Sequence, residues 1–114
     1  MPKDDIVYLG HMLDMTRKAV TRVAGKSRDE FETDEDLRLV VAHLVQIIGE
    51  AAAQVSPSMR QAHPEIPWIQ ITGIRHHIVH GYMSVDWGIL WRVATCNLPP
   101  LAEALERIVP PDEA

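Results

Sequence analysis

The residues best suited to chemistry lie together between positions 75 and 82. They are Arg75, His76, His77, His80 and Tyr82, and this segment holds three of the six histidines in the chain. Arginine carries a fixed planar cation that matches phosphate oxygens, and histidine exchanges protons near neutral pH. A tyrosine hydroxyl can form a hydrogen bond or accept a modifying group. Together these residue types indicate chemistry on a phosphate ester.

Cleavage of RNA needs only such groups. One histidine would take the proton of the 2′-hydroxyl so that its oxygen attacks phosphorus, and another would protonate the leaving 5′-oxygen. Arginine would stabilise the charge that builds up on the phosphate. On an ideal helix, however, Arg75 and His80 lie about 140° apart around the axis. Either the helix loosens at Gly81, or a second subunit brings another copy of the segment opposite.

Other uses of these histidines stay open at this point. His76 and His80 share a helix face, so they are a surface pair or half of a zinc site. Asp86 and Cys96 are the nearest further ligands, but the spacing matches no recognised metal motif, and we predict no metal. Cys96 is predicted to be a buried, unreactive thiol. The remaining histidines are expected to play structural roles; they are His11 and His43 in helices and His63 in a loop.

Glu50 is a candidate supporting residue. It lies on the flank of an apolar stripe, between Gly49 and three alanines that would allow another helix to approach closely. A carboxylate at such a place needs solvent or a partner. We hypothesise an ion pair that orients the guanidinium of Arg75; exposure to solvent is the alternative.

Apolar residues at helical spacing predict the helices that carry these residues. We predict a first helix from Ile6 to Val23 and a second from the N-cap Thr33 to Val55, followed by a short helical turn at 58–62. A third helix starts at Pro67 and carries the cluster. A fourth is capped by Ser84 or Asp86 and closed by Asn97, and a fifth runs from Pro99 to Ile108. No strand pattern competes. The sequence therefore predicts an all-α, antiparallel bundle of four or five helices, with one domain over 1–109 and a short mobile tail at 110–114.

Composition limits the function classes. The 114 residues include one cysteine and no membrane-spanning or export segment, so we expect a cytoplasmic protein. A net charge of -5 argues against a protein that coats nucleic acid in general. Six carboxylates lie between Asp29 and Asp36, which we interpret as a solvated loop and helix start; a docking surface for a basic partner is the alternative. Three tryptophans and five methionines are more than a small bundle should bury, which favours a homodimer.

The pattern Arg75-x-x-x-x-His80-x-Tyr82 resembles the motif of the HepT toxins of the HEPN superfamily. Three further segments resemble the same family in the expected order, namely 47–52, 63–68 and 85–99. The resemblance extends from about Asp4 to Ile108. It implies a helical bundle that dimerises with two motifs facing a shared cleft, and a metal-independent endoribonuclease without a cofactor in which Arg75 and His80 are catalytic.

The resemblance also implies a partner. In this family a minimal nucleotidyltransferase antitoxin, MntA, transfers AMP from ATP to the motif tyrosine, here Tyr82, in a type VII toxin–antitoxin system. A bulky anion there would fill the cleft and occupy Arg75. One departure concerns His76, where the family commonly has asparagine, so His76 either adds a second titrating group or weakens the site. The alternative function is a non-catalytic HEPN-like module that docks a nucleotidyltransferase or binds nucleotide or RNA.

Overall fold

Three long helical stretches form the frame of the molecule. In the computed structural model, which describes residues 3–74 and 85–111, they are α1 (Lys3–Val23), α3 (Glu35–Gln54), and a stretch composed of α6 (Trp87–Arg92), a π-helical turn (Val93–Asn97) and α7 (Leu98–Ile108). Between them lie the short helices α2 (Arg28–Thr33), α4 (Pro57–Ala62) and α5 (Trp68–Thr72). The predicted all-α class is confirmed. None of the described helices is long and apolar enough to cross a membrane.

The core lies where α1 packs along α3 and α7. Four residues of this core are fully buried, namely Leu9 and Leu13 of α1, Val41 of α3 and Leu105 of α7. These residues belong to stripes whose members are three or four positions apart, so each helix turns one apolar face inward. The stripes predicted for the first and second helices are therefore confirmed.

The acidic stretch contains a helix that the sequence did not predict. Ser27 caps α2 because its hydroxyl accepts a 3.1 Å hydrogen bond from the backbone of Glu30, whose carboxylate accepts a 2.9 Å bond from the backbone of Ser27. Phe31 is fully buried and lies 5.3 Å, centroid to centroid, from Trp91 of α6. A capping box and one aromatic anchor thus hold a helix too short to show periodicity.

The N-cap of α3 is Asp34 rather than the predicted Thr33. The carboxylate of Asp34 accepts a 3.1 Å hydrogen bond from the backbone of Leu37. Thr33 instead ends α2, where its hydroxyl donates a 2.8 Å bond to the carbonyl of Asp29. An aspartate is at least as good an N-cap as a threonine, and the extra helix leaves Thr33 no freedom to cap the next one.

The predicted break between a fourth helix ending at Asn97 and a fifth starting at Pro99 is wrong. The backbone stays in the right-handed helical region on both sides of Asn97, and the N–H of Leu98 donates to the carbonyl of Val93, five residues back. Pro99 and Pro100 cannot donate, and their rings would crowd the preceding turn of an α-helix. The wider π turn accommodates them without ending the helix.

The predicted third helix begins one residue later than expected and is interrupted at Gly73, while its expected end near Gly81 lies outside the described residues. Pro67 is the N-cap of α5, not its first helical residue, and the helix stops at Thr72. Gly73 is the C-cap, and its N–H donates to the carbonyls of Ile69 and Ile71. Glycine is the residue that most readily leaves a helix. Ile71 and Ile74 therefore do not belong to one uninterrupted helix that leads into the histidine cluster.

Candidate functional site

The predicted catalytic segment itself lies outside the described residues. This applies to Arg75, His76 and His80 and to the predicted modification site Tyr82. The structure does describe the two ends that hold the segment, Ile74 just after the C-cap of α5 and Val85 before α6. Contacts among the described residues fix both of these ends.

The first end is fixed by a close approach of α5 to α3 at Gly49. A Cβ atom on Gly49 would lie 3.0 Å from the backbone oxygen of Ile71 and 3.4 Å from a methyl carbon of Ile74. The first of these distances is too short for comfortable packing, so the absent side chain sets how near the two helices come. The predicted role of Gly49 in admitting a neighbouring helix is confirmed. The contact with α3 therefore fixes Ile74, which directly precedes the motif in the sequence.

Glu50, the predicted supporting residue, is exposed. One of its carboxylate oxygens accepts a 3.2 Å hydrogen bond from the side-chain amide of Gln46, one turn earlier on α3. Its neighbour Gly49 is buried against α5, so Glu50 lies at the edge of the α3–α5 contact. The ion pair with Arg75 stays a prediction.

The second end is fixed at the first turn of α6. Asp86 is the N-cap, as one of the two predicted alternatives had it, and its carboxylate accepts a 3.0 Å hydrogen bond from the backbone of Ile89. The other alternative, Ser84, lies outside the described residues. The next residue, Trp87, is covered by the guanidinium of Arg38, whose Cζ atom lies 4.9 Å from the ring centroid. Arg28 approaches the same turn, because its Nη2 atom lies 2.8 Å from the point that a Cβ of Gly88 would occupy.

Sequence reasoning missed this pair of arginines beside Trp87. Arg28 and Arg38 precede Trp87 by 59 and 49 residues, and only the fold brings the three elements together. No local motif marks such a contact. The one available signal was Trp87 itself, a large aromatic residue at the start of a helix.

An apolar groove of about 460 Å³ lies beside the motif's first end. Its walls come from α3, α5 and the stretch from α6 to α7, and Ile74 is part of them. Buried side chains form the floor; they include Ile48, Ile71, Val93, Leu98 and Leu101. Two exposed charged residues, Glu65 and Arg92, lie on its rim. A groove of this size and polarity is typical of a surface that another molecule covers.

The prediction for Cys96 is wrong. It is exposed and lines this groove, whereas we predicted a buried thiol. The π turn shifts the positions after Val93 around the helix axis, so the phase expected from a regular α-helix does not hold there. Among the described residues, no three histidine, cysteine or acidic side chains come together as metal ligands.

The histidines outside the motif lie at the surface or in a loop. His11 and His43 are exposed on α1 and α3. His63 follows α4 as its C-cap, and its Nδ1 atom lies 3.3 Å from the carboxylate of Glu65. The carbonyl of His63 also accepts a 3.0 Å hydrogen bond from the indole of Trp68, which anchors the start of α5.

Comparisons with known proteins converge on one family. A family model described as "Ribonuclease HepT-like" matches residues 12–108. A protein of Caldanaerobacter subterraneus subsp. tengcongensis named "Putative RNase" is 30% identical over 102 residues, which cover 90% of this chain and 91% of that protein. A "Probable ribonuclease HepT" of Thermococcus cleftensis is 30% identical over 80 residues, covering 70% and 73% of the two chains. No solved structure matches significantly.

Proposed function

This chain belongs to the HepT-like ribonuclease family, and on that basis we propose that it is a metal-independent endoribonuclease toxin of a toxin–antitoxin system. The observation that carries the proposal is the motif Arg75-x-x-x-x-His80-x-Tyr82, which falls inside the matched residues 12–108. The family model covers the surrounding helices as well as the motif. The proposed ribonuclease function therefore rests on the matched helices as well as on the three motif residues.

In the proposed reaction the 2′-oxygen of RNA attacks the adjacent phosphorus and the bond to the 5′-oxygen breaks. His80 moves a proton between the protein and one of these oxygens, and Arg75 binds the non-bridging phosphate oxygens as their charge grows. His76 offers a second titrating group next to Arg75. No metal ion is needed, because the two reacting oxygens require only proton transfer and the phosphate requires only a fixed cation.

We further propose that the active form is a homodimer. On an ideal helix Arg75 and His80 diverge, so two copies of the motif facing each other would complete the site. The apolar groove supports a second copy as its occupant, since its walls include Ile74 and its rim carries one negative and one positive residue, Glu65 and Arg92. A two-fold axis would pair each of these with the opposite charge on the other copy.

The proposed regulation is transfer of AMP to Tyr82 by a cognate minimal nucleotidyltransferase. The tyrosine oxygen attacks the α-phosphorus of ATP, pyrophosphate leaves, and the hydroxyl proton passes to a base. The attached phosphate would then compete with RNA for Arg75. Incubation with the nucleotidyltransferase and ATP should add the mass of AMP to the wild type and leave Tyr82→Phe unchanged.

The test of the proposed reaction is RNA cleavage by unmodified full-length protein in excess EDTA, with intact mass measured beforehand. We expect cleavage by the wild type, and a loss of at least 100-fold in Arg75→Ala and in His80→Ala. Arg107→Ala and His43→Ala are matched controls, since both side chains are exposed on other helices. A folded, unmodified wild type that cuts no RNA would instead favour a non-catalytic module that binds RNA, nucleotide or the nucleotidyltransferase.

A further inference from the structure

We infer that Arg38, stacked on Trp87, and Arg28 beside it bind a phosphodiester group of single-stranded RNA next to the catalytic motif. This inference deepens the proposed function, because it rests on RNA being the substrate. It assigns a role to side chains that belong neither to the motif nor to the groove. The argument depends on how the two guanidinium groups are held and on where they lie.

The guanidinium of Arg38 is held in place, and within the described parts of the chain it has no hydrogen-bond partner. Its Cζ atom lies 4.9 Å from the centroid of Trp87, within the range of a cation–π contact. Its Nε atom is buried and has no hydrogen-bond partner among the residues that the structure describes. The residue lies only four positions after the carboxylate of Asp34, yet that carboxylate caps Leu37 instead of pairing with Arg38. The buried Nε cannot reach an external ligand, but the terminal N–H groups of a guanidinium held in this way are suited to an external anion.

The position of Arg38 is also unfavourable unless an anion binds. It occupies the first turn of α3, where the helix dipole repels a positive charge and attracts a negative one. Stacking on Trp87 offsets part of this cost. A bound phosphate would interact favourably with both the guanidinium and the start of the helix.

Arg28 brings a second positive charge to the same turn. Its Nη2 atom lies against Gly88, and a methyl group at that position would come within 2.8 Å of it. On its other side the Nε atom donates a 3.0 Å hydrogen bond to Glu32. Gly88 therefore provides the space through which Arg28 reaches α6, and the two arginines contact adjacent residues of one helical turn.

Three of the six carboxylates of the acidic stretch are engaged in local structure. Glu30 completes the capping box of α2, Asp34 caps α3, and Glu32 pairs with Arg28. None of these three contacts uses Arg38. These three carboxylates thus support the helices that carry the two arginines, and they leave the guanidinium of Arg38 to an outside ligand.

The location connects this pair to the proposed substrate. Trp87 follows Tyr82 by five residues, so the two lie within about 17 Å of each other even if the chain between them is extended. A strand of RNA that enters the motif would pass within reach of Arg38. Combined aromatic and basic groups beside a catalytic site are typical of proteins that bind single strands.

The test is RNA binding in a full-length His80→Ala background, in which the proposed cleavage is blocked. Binding of a fluorescent single-stranded oligonucleotide would be followed by anisotropy at several salt concentrations. We expect Arg38→Gln to weaken binding about tenfold and to reduce the slope of log K against log salt by about 0.7, the value for one lost phosphate contact on a single strand. Gly88→Ala, which displaces Arg28, should act in the same direction.

Arg107→Gln is the matched control, because it removes one exposed positive charge from α7. Arg38→Lys, which keeps the charge on Trp87, should retain most of the salt slope. If Arg38→Gln behaves like Arg107→Gln, or changes only the melting temperature, the inference is wrong. A wild type that binds through Arg38 but never cuts RNA would contradict the proposed function alone, whereas cutting with an unchanged KM in Arg38→Gln would contradict this inference alone.

Discussion

At the scale of single residues, the capping box of α2 is a charge-dependent stabilising device. The pKa of the Glu30 carboxyl is lowered from its usual 4.5, chiefly by the hydrogen bond from the backbone of Ser27 and then by the Ser27 hydroxyl. A carboxyl whose pKa is lower in the folded state than in the unfolded state stabilises the folded state at pH values above its unfolded-state pKa. This contribution is lost as the pH falls through the folded pKa.

We therefore predict that Glu30→Ala lowers the melting temperature at pH 7 and that the difference from wild type shrinks below about pH 4.5. Thermal unfolding measured by circular dichroism from pH 7 to pH 3 provides the comparison. Glu103→Ala is the control, since Glu103 is an exposed carboxylate on α7. A difference between Glu30→Ala and wild type that stays constant with pH would show that the charge on Glu30 does not matter.

The variant Glu50→Gln tests whether Glu50, a residue of α3, acts on the motif. If its carboxylate orients Arg75, Glu50→Gln should lower kcat for RNA cleavage severalfold while stability changes little, because the side chain is exposed. Gln46→Ala is the control for the 3.2 Å hydrogen bond between Gln46 and Glu50. Equal cleavage rates in Glu50→Gln and wild type would remove Glu50 from the site.

At the scale of helices, the approach of α5 to α3 is the contact that fixes Ile74, the residue before the motif. Gly49→Ala would place a methyl group 3.0 Å from the carbonyl of Ile71, so α5 must shift outward. We expect a loss of about 1–3 kcal/mol in the free energy of unfolding. Because residue 75 follows Ile74 directly, cleavage should fall by more than this loss of stability explains.

Val109→Ala is the control for that comparison. It removes buried apolar surface just after α7, away from the α3–α5 contact, and should destabilise the fold by about 1 kcal/mol. Urea unfolding and cleavage kinetics of both variants would be measured at a temperature where each is folded. If the two variants lose activity in equal proportion to stability, the α3–α5 contact has no special role in positioning the motif.

The helices also show which features a sequence can predict. Long stripes such as those of α1 and α3 were predictable, because regular spacing repeats over several turns. Helix α2 was not, since it has one buried residue, Phe31, among charged ones. The prolines after Asn97 indicated the start of a new helix. The structure shows that a π turn accommodates them within one continuous helix. The motif was evident because its residues are local, whereas the Arg38–Trp87 contact joins positions 49 residues apart.

At the scale of the whole molecule, the net charge of -5 restricts where a second copy can approach. Among the carboxylates that the structure describes, Glu65 is the one that lines the apolar groove. Beside the groove, α5 forms a ridge whose Ile69 side chain is 84% exposed, more than any other large apolar side chain in the described ranges. A ridge next to a groove can fit its own copy under two-fold symmetry.

We predict that Ile69→Glu converts the proposed dimer into a monomer. A buried charge without a partner would oppose association, and the groove of the other copy would lose the side chain that fills it. Leu39→Glu is the matched control, because Leu39 is 53% exposed on α3 and does not line the groove. Sedimentation velocity gives the oligomeric state. A wild type that is monomeric, or an Ile69→Glu variant that stays dimeric, would exclude this face as the interface.

The charges on the groove rim allow a sharper test of the same interface. If Glu65 of one copy pairs with Arg92 of the other, Glu65→Arg alone and Arg92→Glu alone would each place like charges opposite one another, twice per dimer. Each single variant should weaken dimerisation about tenfold or more. The double variant restores opposite charges at both contacts and should dimerise again, because the symmetry exchanges the two positions. Additive weakening in the double variant would mean that these residues do not meet across the axis, even if Ile69 lies in the interface.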